Sequence, residues 1–235
     1  MITLTPRLQA VADYVPSHCR FADVGTDHAY LPVWLIQHGI IHSAVASDLR
    51  QGPLDRARAT ARQYGCTERF DFRLSDGLDA FAPHEADCIA VAGMGGEAIR
   101  SILSAAAWTK EHTRLILQPQ TNVPELRLWL TQSGYHIRED RVIREENRWY
   151  TVLLAEGGGD DTVWTPGTLL TGNPARWSAG DDRKGHLRHL LEKLDRQLGG
   201  LTKAAEPDQE RQIKLSRARQ ELTAMLEGEN RKCQP

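Results

Sequence analysis

Short strand-like runs alternate with helix-like stretches through the first 155 residues, and this alternation is the strongest constraint on the fold. The strand-like runs are rich in Val, Ile and Leu, as parallel strands covered on both faces should be. Alternation at this spacing predicts an α/β protein with a doubly wound sheet. The predicted strands lie at residues 20–25, 43–48, 70–76, 87–94 and 114–119.

The pattern changes after Gly134. Residues 135–156 hold two extended runs with no helix-like stretch between them. Because parallel strands need a long crossover connection, these two runs are predicted to pair antiparallel. A mostly parallel sheet that ends in an antiparallel pair is typical of Rossmann-like methyltransferases, whereas a dehydrogenase sheet does not need such a pair.

The predicted sheet domain comprises residues 1–156. The chain beyond it divides into two further parts. Residues 157–181 are rich in Gly, Pro and Asp, which predicts a linker or a loop-rich cap. Residues 182–235 carry two amphipathic patterns separated by glycine and proline, which predicts a coiled-coil-like helical hairpin. Such a hairpin can fold back within one chain or pair between chains, so we expect a monomer or a weak dimer.

The distribution of charge supports this division. The net charge of −2 is made up of −5 for residues 1–165 and +3 for residues 166–235. The C-terminal part is therefore better suited to binding a polyanion than the sheet domain is.

The N-terminal sequence and the cysteines indicate the compartment. The first residues, MITLTPRLQAVADYV, lack the pattern of a signal peptide, and no apolar run approaches the ~18 residues of a membrane span. The four cysteines have neither CxxC nor Cys–His spacing, which argues against a structural zinc site or a disulfide framework. We therefore expect a cytoplasmic protein that needs no metal and no membrane.

The first predicted strand runs into the segment DVGTDHAYLP, and ligands of doubly wound sheets bind beyond the carboxyl ends of the strands. Gly25 lets the backbone turn close to a ligand, but the GxGxxG motif that a dinucleotide pyrophosphate needs is missing. S-adenosylmethionine has no pyrophosphate and carries a sulfonium, an ammonium and a carboxylate. Asp23 and Asp27 can balance its cationic groups, and N–H groups of the loop can hold its carboxylate.

His28 and Tyr30 follow in the same loop and are expected to face the place where a methyl acceptor enters. Acid, imidazole and phenol together point to methyl transfer rather than hydride transfer. Two plainer interpretations stay open: His28 as a structural loop residue, and Tyr30 as a packing residue.

Acidic residues and glycines follow the next three predicted strands. Asp48 ends the second strand, where a carboxylate can accept both ribose hydroxyls, although a helix cap or loop acid would look the same. Asp76 follows the third strand with Gly77, where it can accept an adenine amino proton or merely form a turn. The fourth strand runs into AGMGG, residues 92–96, which has little bulk and no Walker lysine and so fits close approach of a flat ligand.

Two further groups lie after the fifth strand and near the antiparallel pair. Gln118, Pro119 and Asn122 are expected at the same edge of the sheet, where amides could read a base edge, although helix capping explains Asn122 as well. Arg148 offers a cation next to the aromatic Trp149, for which core packing is the better explanation.

Six segments carry a resemblance to a known family. In chain order, they are DVGTDHAYLP, GPLDRA, SDGL, AGMGG, LQPQTNVPELRLWL and EENRWY. Together they resemble the bacterial tRNA (adenine-N1)-methyltransferases that modify adenine 22, the TrmK family, over residues 1–156; the C-terminal hairpin matches the family's coiled-coil domain only in type. The chain departs mildly from the family with Thr26 in place of serine, Gln120 in place of asparagine and Asp48 where glutamate is frequent.

The resemblance implies a class I S-adenosylmethionine-dependent enzyme that methylates N1 of an adenine in tRNA. Adenine N1 already carries a lone pair, so most of the catalysis should be positioning and electrostatics. Asp27 is then the candidate to accept a hydrogen bond from N6, with His28 orienting it and Tyr30 stacking on the base or lining the entrance. The predicted assignments are catalysis by Asp27, His28 and Tyr30; cofactor binding by Asp23, Gly25, Thr26, Asp48, Asp76, Gly77, Gly93 and Met94; and substrate binding by Gly95, Gly96, Gln118, Pro119, Asn122 and Arg148.

Three alternatives stay open. The acceptor could be another RNA or a small molecule, or the chain could be a non-catalytic scaffold that retains an S-adenosylmethionine pocket. The intact set of polar residues at the pocket disfavours the scaffold. An NAD-dependent dehydrogenase shares the strand–helix alternation, but the missing GxGxxG counts against it.

Overall fold

The computed structural model describes residues 1–178, 182–201 and 208–231. The strands are β1 (Phe21–Val24), β2 (Ala44–Asp48), β3 (Phe70–Leu74), β4 (Cys88–Met94), β5 (Arg114–Pro119), β6 (Tyr135–Glu145) and β7 (Arg148–Gly157). They form one sheet in the order β3-β2-β1-β4-β5-β7-β6. Strands β1 to β5 pair parallel, and β7 pairs antiparallel with both β5 and β6. The predicted α/β fold with a terminal antiparallel pair is confirmed.

Helices cover both faces of this sheet and continue beyond it. The helices are α1 (Pro6–Ala12), α2 (Tyr30–Gln37), α3 (Gln51–Gln63), α4 (Gly96–Ala105), α5 (Val123–Gln132), α6 (Pro166–Thr171), α7 (Arg183–Leu201) and α8 (Gln209–Arg231). The last two form the predicted helical hairpin. The predicted end of the linker, the hairpin loop and the C-terminal tail fall at 179–181, 202–207 and 232–235, outside the described residues. None of the described helices combines the length and apolarity of a membrane-crossing segment.

The hydrophobic core has two layers because both faces of the sheet are buried. Along β5, Ile116 belongs to the layer under α1, α2 and α3, whereas Leu115 and Leu117 belong to the layer under α4 and α5. Successive side chains of a strand point to opposite faces, so a continuous apolar run supplies both layers. Each such buried side chain contributes about 1.5–3 kcal/mol to stability.

Two short helices were not predicted, and hydroxyl side chains cap both. Helix α1 begins after Thr5, whose Oγ1 accepts a hydrogen bond from the backbone N–H of Leu8 over 3.4 Å. Helix α6 begins after Thr165, which forms a reciprocal capping box with Thr168 at 3.2 and 2.8 Å. Part of the Gly- and Pro-rich segment at 157–181 is therefore helical.

A buried charge cluster, defined by Arg127, Asp140 and Arg183, joins the sheet domain to the C-terminal helices. Arg127 on α5 and Asp140 on β6 are 0% and 1% exposed, and Nε of Arg127 donates to Oδ2 of Asp140 over 2.8 Å. Arg127 also donates to the carbonyl of Leu169, 2.7 Å away. At the start of α7, Arg183 donates to the carbonyls of Thr171 and Asp140 at 2.6 and 2.7 Å. The sheet domain, α6 and α7 thus share one polar interior.

Candidate active site at the carboxyl edge of the sheet

An inner cavity of about 520 Å³ opens at the carboxyl ends of β1, β2 and β4, next to the point where the strand order reverses between β1 and β4. This is where open α/β sheets bind their ligands. Its lining includes five of the eight predicted cofactor residues, and the remaining three lie close behind or beside it. The five are Gly25, Asp48, Asp76, Gly77 and Met94.

The inner cavity is lined by carboxylates. Asp48, Asp76 and Asp79 line it, with Arg50 as the one cation among the described residues of the lining. The Asp48 side chain is 12% exposed, and its Oδ1 accepts a hydrogen bond from the backbone N–H of Arg50 over 2.8 Å. A cavity of this composition suits a ligand that carries positive charge and hydroxyl donors.

Two glycines let the backbone approach the cavity closely. Gly25 has φ of +79°, and a Cβ there would lie 2.0 Å from Cε of Met94. Gly77 has φ of +54°, and a Cβ there would lie 2.8 Å from Cγ1 of Ile102. Any larger residue at either position would strain the backbone and displace a side chain that lines the cavity.

Asp23 lies behind the cavity and carries a buried carboxyl group. Desolvation raises the pKa of Asp23 to about 6, a hydrogen bond from Thr26 opposes this shift, and the charge of Asp48 adds to it. No described basic side chain pairs with Asp23, so its buried charge is not compensated by an ion pair within the described residues. A cationic ligand group in the cavity would supply that compensation.

Most backbone N–H groups of the loop after β1 are already bonded. The amides of Gly25 and Thr26 both donate to the carbonyl of Ser47, at 2.8 and 2.9 Å. The amide of Ala29 donates to Oγ1 of Thr26, 3.2 Å away. These three groups are therefore not free to hold a ligand carboxylate, as the sequence suggested the loop amides would be. Thr26 instead holds the loop together from a buried position.

The three predicted catalytic residues lie together at the rim, outside the lining of the inner cavity. Asp27 is paired with Arg56 of α3, whose Nε donates to Oδ1 over 2.9 Å. The other oxygen of Asp27, Oδ2, lies 3.5 Å from Nε2 of His28. The rings of His28 and Tyr30 stack, with centroids 5.1 Å apart and planes 6° apart. Sequence reasoning missed Arg56, although it belongs to the quoted GPLDRA segment.

The β4–α4 turn forms a thin wall beside the cavity. A Cβ at Gly96 would lie 2.7 Å from the carbonyl oxygen of Asn122, and the amide of Gly96 donates to the carbonyl of Thr121 over 2.9 Å. A Cβ at Gly95 would lie 3.0 Å from Oγ1 of Thr121. Gly93 is exposed. Gly96 is thus needed for packing against the β5–α5 loop, and its N–H is already bonded within the protein.

Gln118 does not face a substrate. Its side chain is fully buried, Oε1 accepts from Nη1 of Arg7 over 2.7 Å, and Nε2 donates to the carbonyl of Pro119 over 3.1 Å. Both polar atoms are therefore used inside the protein, so the expectation that Gln118 reads a base edge is wrong. Gln118 instead positions Arg7, which no sequence pattern had identified. Pro119 is also buried.

Asn122 and Arg148 line a second cavity of about 540 Å³, which we call the outer groove. It lies between residues 119–124 after β5, residues 147–151 of the β6–β7 hairpin, and α7. Asn122 has a left-handed backbone at φ of +54° and makes no side-chain cap to α5, so helix capping does not explain it. Three predicted substrate residues, including Pro119, meet in this groove. In the described part of the chain, no three His, Cys, Asp or Glu side chains converge as metal ligands would.

Comparisons with a family model and with a curated relative both match this chain to methyltransferases. The methyltransferase-domain family model matches residues 4–153. The tRNA (adenine(22)-N(1))-methyltransferase of Bacillus subtilis is 36% identical over 174 residues, which cover 73% of this chain and 72% of the relative.

Solved structures extend the similarity to nearly the whole chain. The Streptococcus pneumoniae protein Sp1610 is 30% identical with a TM-score of 0.81, covering 95% of this chain and 100% of that one. The same protein has been solved in complex with S-adenosyl-L-methionine, at 29% identity, a TM-score of 0.78 and the same coverage. The B. subtilis M1A22 tRNA methyltransferase TrmK is 28% identical with a TM-score of 0.75, covering 97% of each chain.

Proposed function

Because this chain belongs to the methyltransferase-domain family and, within it, to the tRNA (adenine(22)-N(1))-methyltransferases, we propose that it transfers a methyl group from S-adenosylmethionine to N1 of adenine 22 in tRNA. One observation carries the proposal beyond family membership. The carboxyl edge of the sheet combines an acid-lined inner cavity with an acid, an imidazole and a phenol at its rim.

The inner cavity fits S-adenosylmethionine, which supplies an electrophilic methyl group on a sulfonium when bound. Asp48 would accept hydrogen bonds from the ribose hydroxyls, and Asp76 would accept a hydrogen bond from the adenine amino group. Asp23 would balance positive charge, since its own buried carboxyl group lacks a described basic partner. The charge of Asp27 is already balanced by Arg56, so we assign the cationic ligand groups to Asp23 and not to Asp27.

The rim residues would hold the acceptor adenine. Arg56 engages Oδ1 of Asp27 and leaves Oδ2 available to accept a hydrogen bond from the N6 amino group. Methylation at N1 makes the ring cationic, and a carboxylate at N6 stabilises that charge. The stacked pair of His28 and Tyr30 offers a flat surface for the base at the same rim.

The helical hairpin would bind the tRNA backbone through the exposed cations that are not paired within the hairpin. Arg183 is excluded because it is buried in the charge cluster, and Arg217 and Arg219 pair with Glu221 and Asp195. The exposed cations Arg188, Lys193, Arg196, Arg211 and Lys214 are left.

The hairpin packs on itself, which supports a monomer. Leu187 and Leu194 of α7 are buried against Ala218 and Leu222 of α8, so these apolar positions are covered within one chain, whereas Ile213 of α8 is exposed.

Mass spectrometry of nucleosides tests the proposed activity. The full chain is incubated with an unmodified tRNA transcript and S-adenosylmethionine, and a second transcript carries guanine in place of adenine 22. We expect 1-methyladenosine in the first transcript and none in the second. Equal methylation of both transcripts would move the target elsewhere, and no methylation of a tRNA that binds would refute the activity.

A further inference from the structure

The outer groove has the size of a ligand site and lies beside the inner cavity. Its volume of about 540 Å³ falls within the ~300–1,000 Å³ usual for small-ligand sites. No described residue lines both cavities. Met94 lines the inner cavity, and Gly95 and Gly96, which follow it in the chain, pack against Thr121 and Asn122 of the outer groove. A molecule in the outer groove would therefore lie next to the reacting groups and not among them.

The charge of the outer groove is opposite to that of the inner cavity. Its charged lining residues are Arg148 and Lys193, and no Asp or Glu of the described residues lines it. Both cations are exposed at the groove, and His189 stands on the same helix as Lys193. The groove therefore favours an anionic occupant, whereas the inner cavity favours a cationic one.

An indole ring lies in the groove with no other described ring flat against it, and the guanidinium carbon of Arg144 lies over the ring, 5.7 Å from its centroid. The Trp149 ring centroid is 5.4 Å from that of His186 and 6.3 Å from that of His189. The planes are inclined by 40° and 35°, so neither imidazole is stacked on the indole. A tryptophan that is half-buried beside cations is a surface on which a nucleic-acid base can stack.

A buried polar atom in the same place has no partner. His186 lines the groove, is 7% exposed, and its Nδ1 makes no hydrogen bond with any described residue. Burial, assisted by the nearby Arg183 and Arg127, lowers the pKa of His186 to about 3, so the ring is neutral. An unsatisfied buried polar group is costly, which makes this histidine a second, independent indication that the groove holds a polar ligand.

We propose that the outer groove is a subsite for one nucleotide of the substrate RNA that neighbours the target adenine. Its base would lie against Trp149, and its phosphate would lie between Arg148 and Lys193. The inference rests on the proposed tRNA methyltransferase function and adds a second nucleotide position to it. The target adenine is assigned to Asp27, His28 and Tyr30, and none of these three residues lines the outer groove.

Steady-state kinetics with the full chain test the subsite. Trp149→Leu should raise the KM for tRNA roughly 5- to 100-fold, the usual effect of losing one stacked base, while the affinity for S-adenosylmethionine changes less than about twofold. Trp149→Phe keeps a flat ring and should retain most of the affinity. Lys193→Glu should also raise KM, whereas Arg62→Glu, an equal charge change at the far edge of the sheet, should not.

A direct binding measurement covers the case in which Trp149→Leu does not fold. The full chain has six tryptophans, which are replaced by 5-fluorotryptophan and observed by ¹⁹F NMR, with Trp149→Phe identifying the Trp149 signal. Adding tRNA should shift that signal. If the wild type methylates tRNA, but the Trp149 signal stays in place and Lys193→Glu behaves like Arg62→Glu, the subsite is refuted and the proposed function stands. If tRNA shifts the signal but is never methylated, the proposed function fails instead.

Discussion

Arg56 of α3 holds the carboxylate of Asp27 at the rim of the inner cavity, through Nε at 2.9 Å from Oδ1 and through a second guanidinium nitrogen. The two residues are 29 positions apart in the chain, and the pair fixes one oxygen of Asp27 while the other faces His28. The charge of Asp27 is thereby balanced from within the protein.

Replacement of Asp27 should affect turnover more than cofactor binding. We expect Asp27→Ala to lower kcat on tRNA by roughly 10²- to 10⁴-fold, the usual range for a positioned acid–base group, with S-adenosylmethionine affinity nearly unchanged in calorimetry. Asp55→Ala, at another exposed acid that pairs with a neighbouring arginine, is the control. A loss of cofactor affinity with normal turnover at saturation would move Asp27 to the cofactor side of the site.

Replacement of Asp48 should have the opposite effect. Asp48→Ala should weaken S-adenosylmethionine binding by about 1.5–3 kcal/mol, the value of a hydrogen bond to a charged group. Isothermal titration calorimetry measures the change, and Asp71→Ala on β3 serves as a control outside the cavity lining. Equal affinities for the two variants would remove Asp48 from the ribose.

The raised pKa of Asp23 predicts a pH dependence of both binding and stability. The pKa of Asp23 is about 6 in the folded protein, against an ordinary value of 3.8. The folded state therefore binds more protons than the unfolded chain between about pH 4 and 6, and stability falls as pH rises through this interval. A cation binds the ionised form, so S-adenosylmethionine affinity should fall as pH is lowered from 7 to 5. Asp23→Asn should flatten both profiles; an unchanged slope in this variant would contradict the assignment.

The buried charge cluster should be essential for stability. Arg127→Met leaves Asp140 buried without its bidentate partner, which should lower the free energy of unfolding by about 3–5 kcal/mol. Arg138→Met breaks an exposed pair with Glu156 and should cost at most about 1 kcal/mol. Urea unfolding followed by circular dichroism compares them. Equal midpoints for the two variants would show that the cluster is dispensable.

Charge reversal on the hairpin tests its proposed interaction with tRNA. Reversal of Arg188, Arg211 and Lys214 to glutamate should weaken tRNA binding. It should also make the slope of log affinity against log salt concentration shallower, by nearly one for each phosphate that is no longer neutralised. The same reversal at Arg62, Arg69 and Lys110, at the amino edge of the sheet, is the matched control.

Equal loss of tRNA affinity in both triple variants would refute a specific role of the hairpin. A chain shortened after Glu156 is a poorer test, because it removes α6 and α7 from the buried charge cluster and so destabilises the sheet domain.

The sheet could be predicted from sequence because apolar runs with turn signals determine it locally. Asp48 and Met94 were found because parallel strands bring their carboxyl ends to one edge. The pairs Arg7–Gln118 and Arg56–Asp27 could not be found, since a single charge on a helix leaves no periodic signal. The same holds for the long-range packing that places His186 beside Trp149.

The burial of two arginines, Arg127 and Arg183, could not be predicted from the sequence. Arg127 occupies a position in VPELRLWL that looks like the solvent face of an amphipathic helix, and Arg183 is one of many cations in a C-terminal part whose net charge is +3. Both became interior residues because Asp140 and the carbonyls after α6 satisfy their donors. Helix α6 was hidden because its capping threonines lie among the glycines and prolines that predicted a linker.

The anchoring of Arg183 at the first turn of α7 has a geometric consequence for target choice. A 19-residue helix is about 28 Å long, and here its base is locked to the domain that carries the reactive site. With the hairpin bound to the tRNA as proposed, this arm of fixed length would admit only an adenine that lies at a set distance from the bound helical stem. Selection of one adenine among many would need no reading of sequence along the arm. Lengthening both helices by equal whole turns should move the site of methylation along the tRNA.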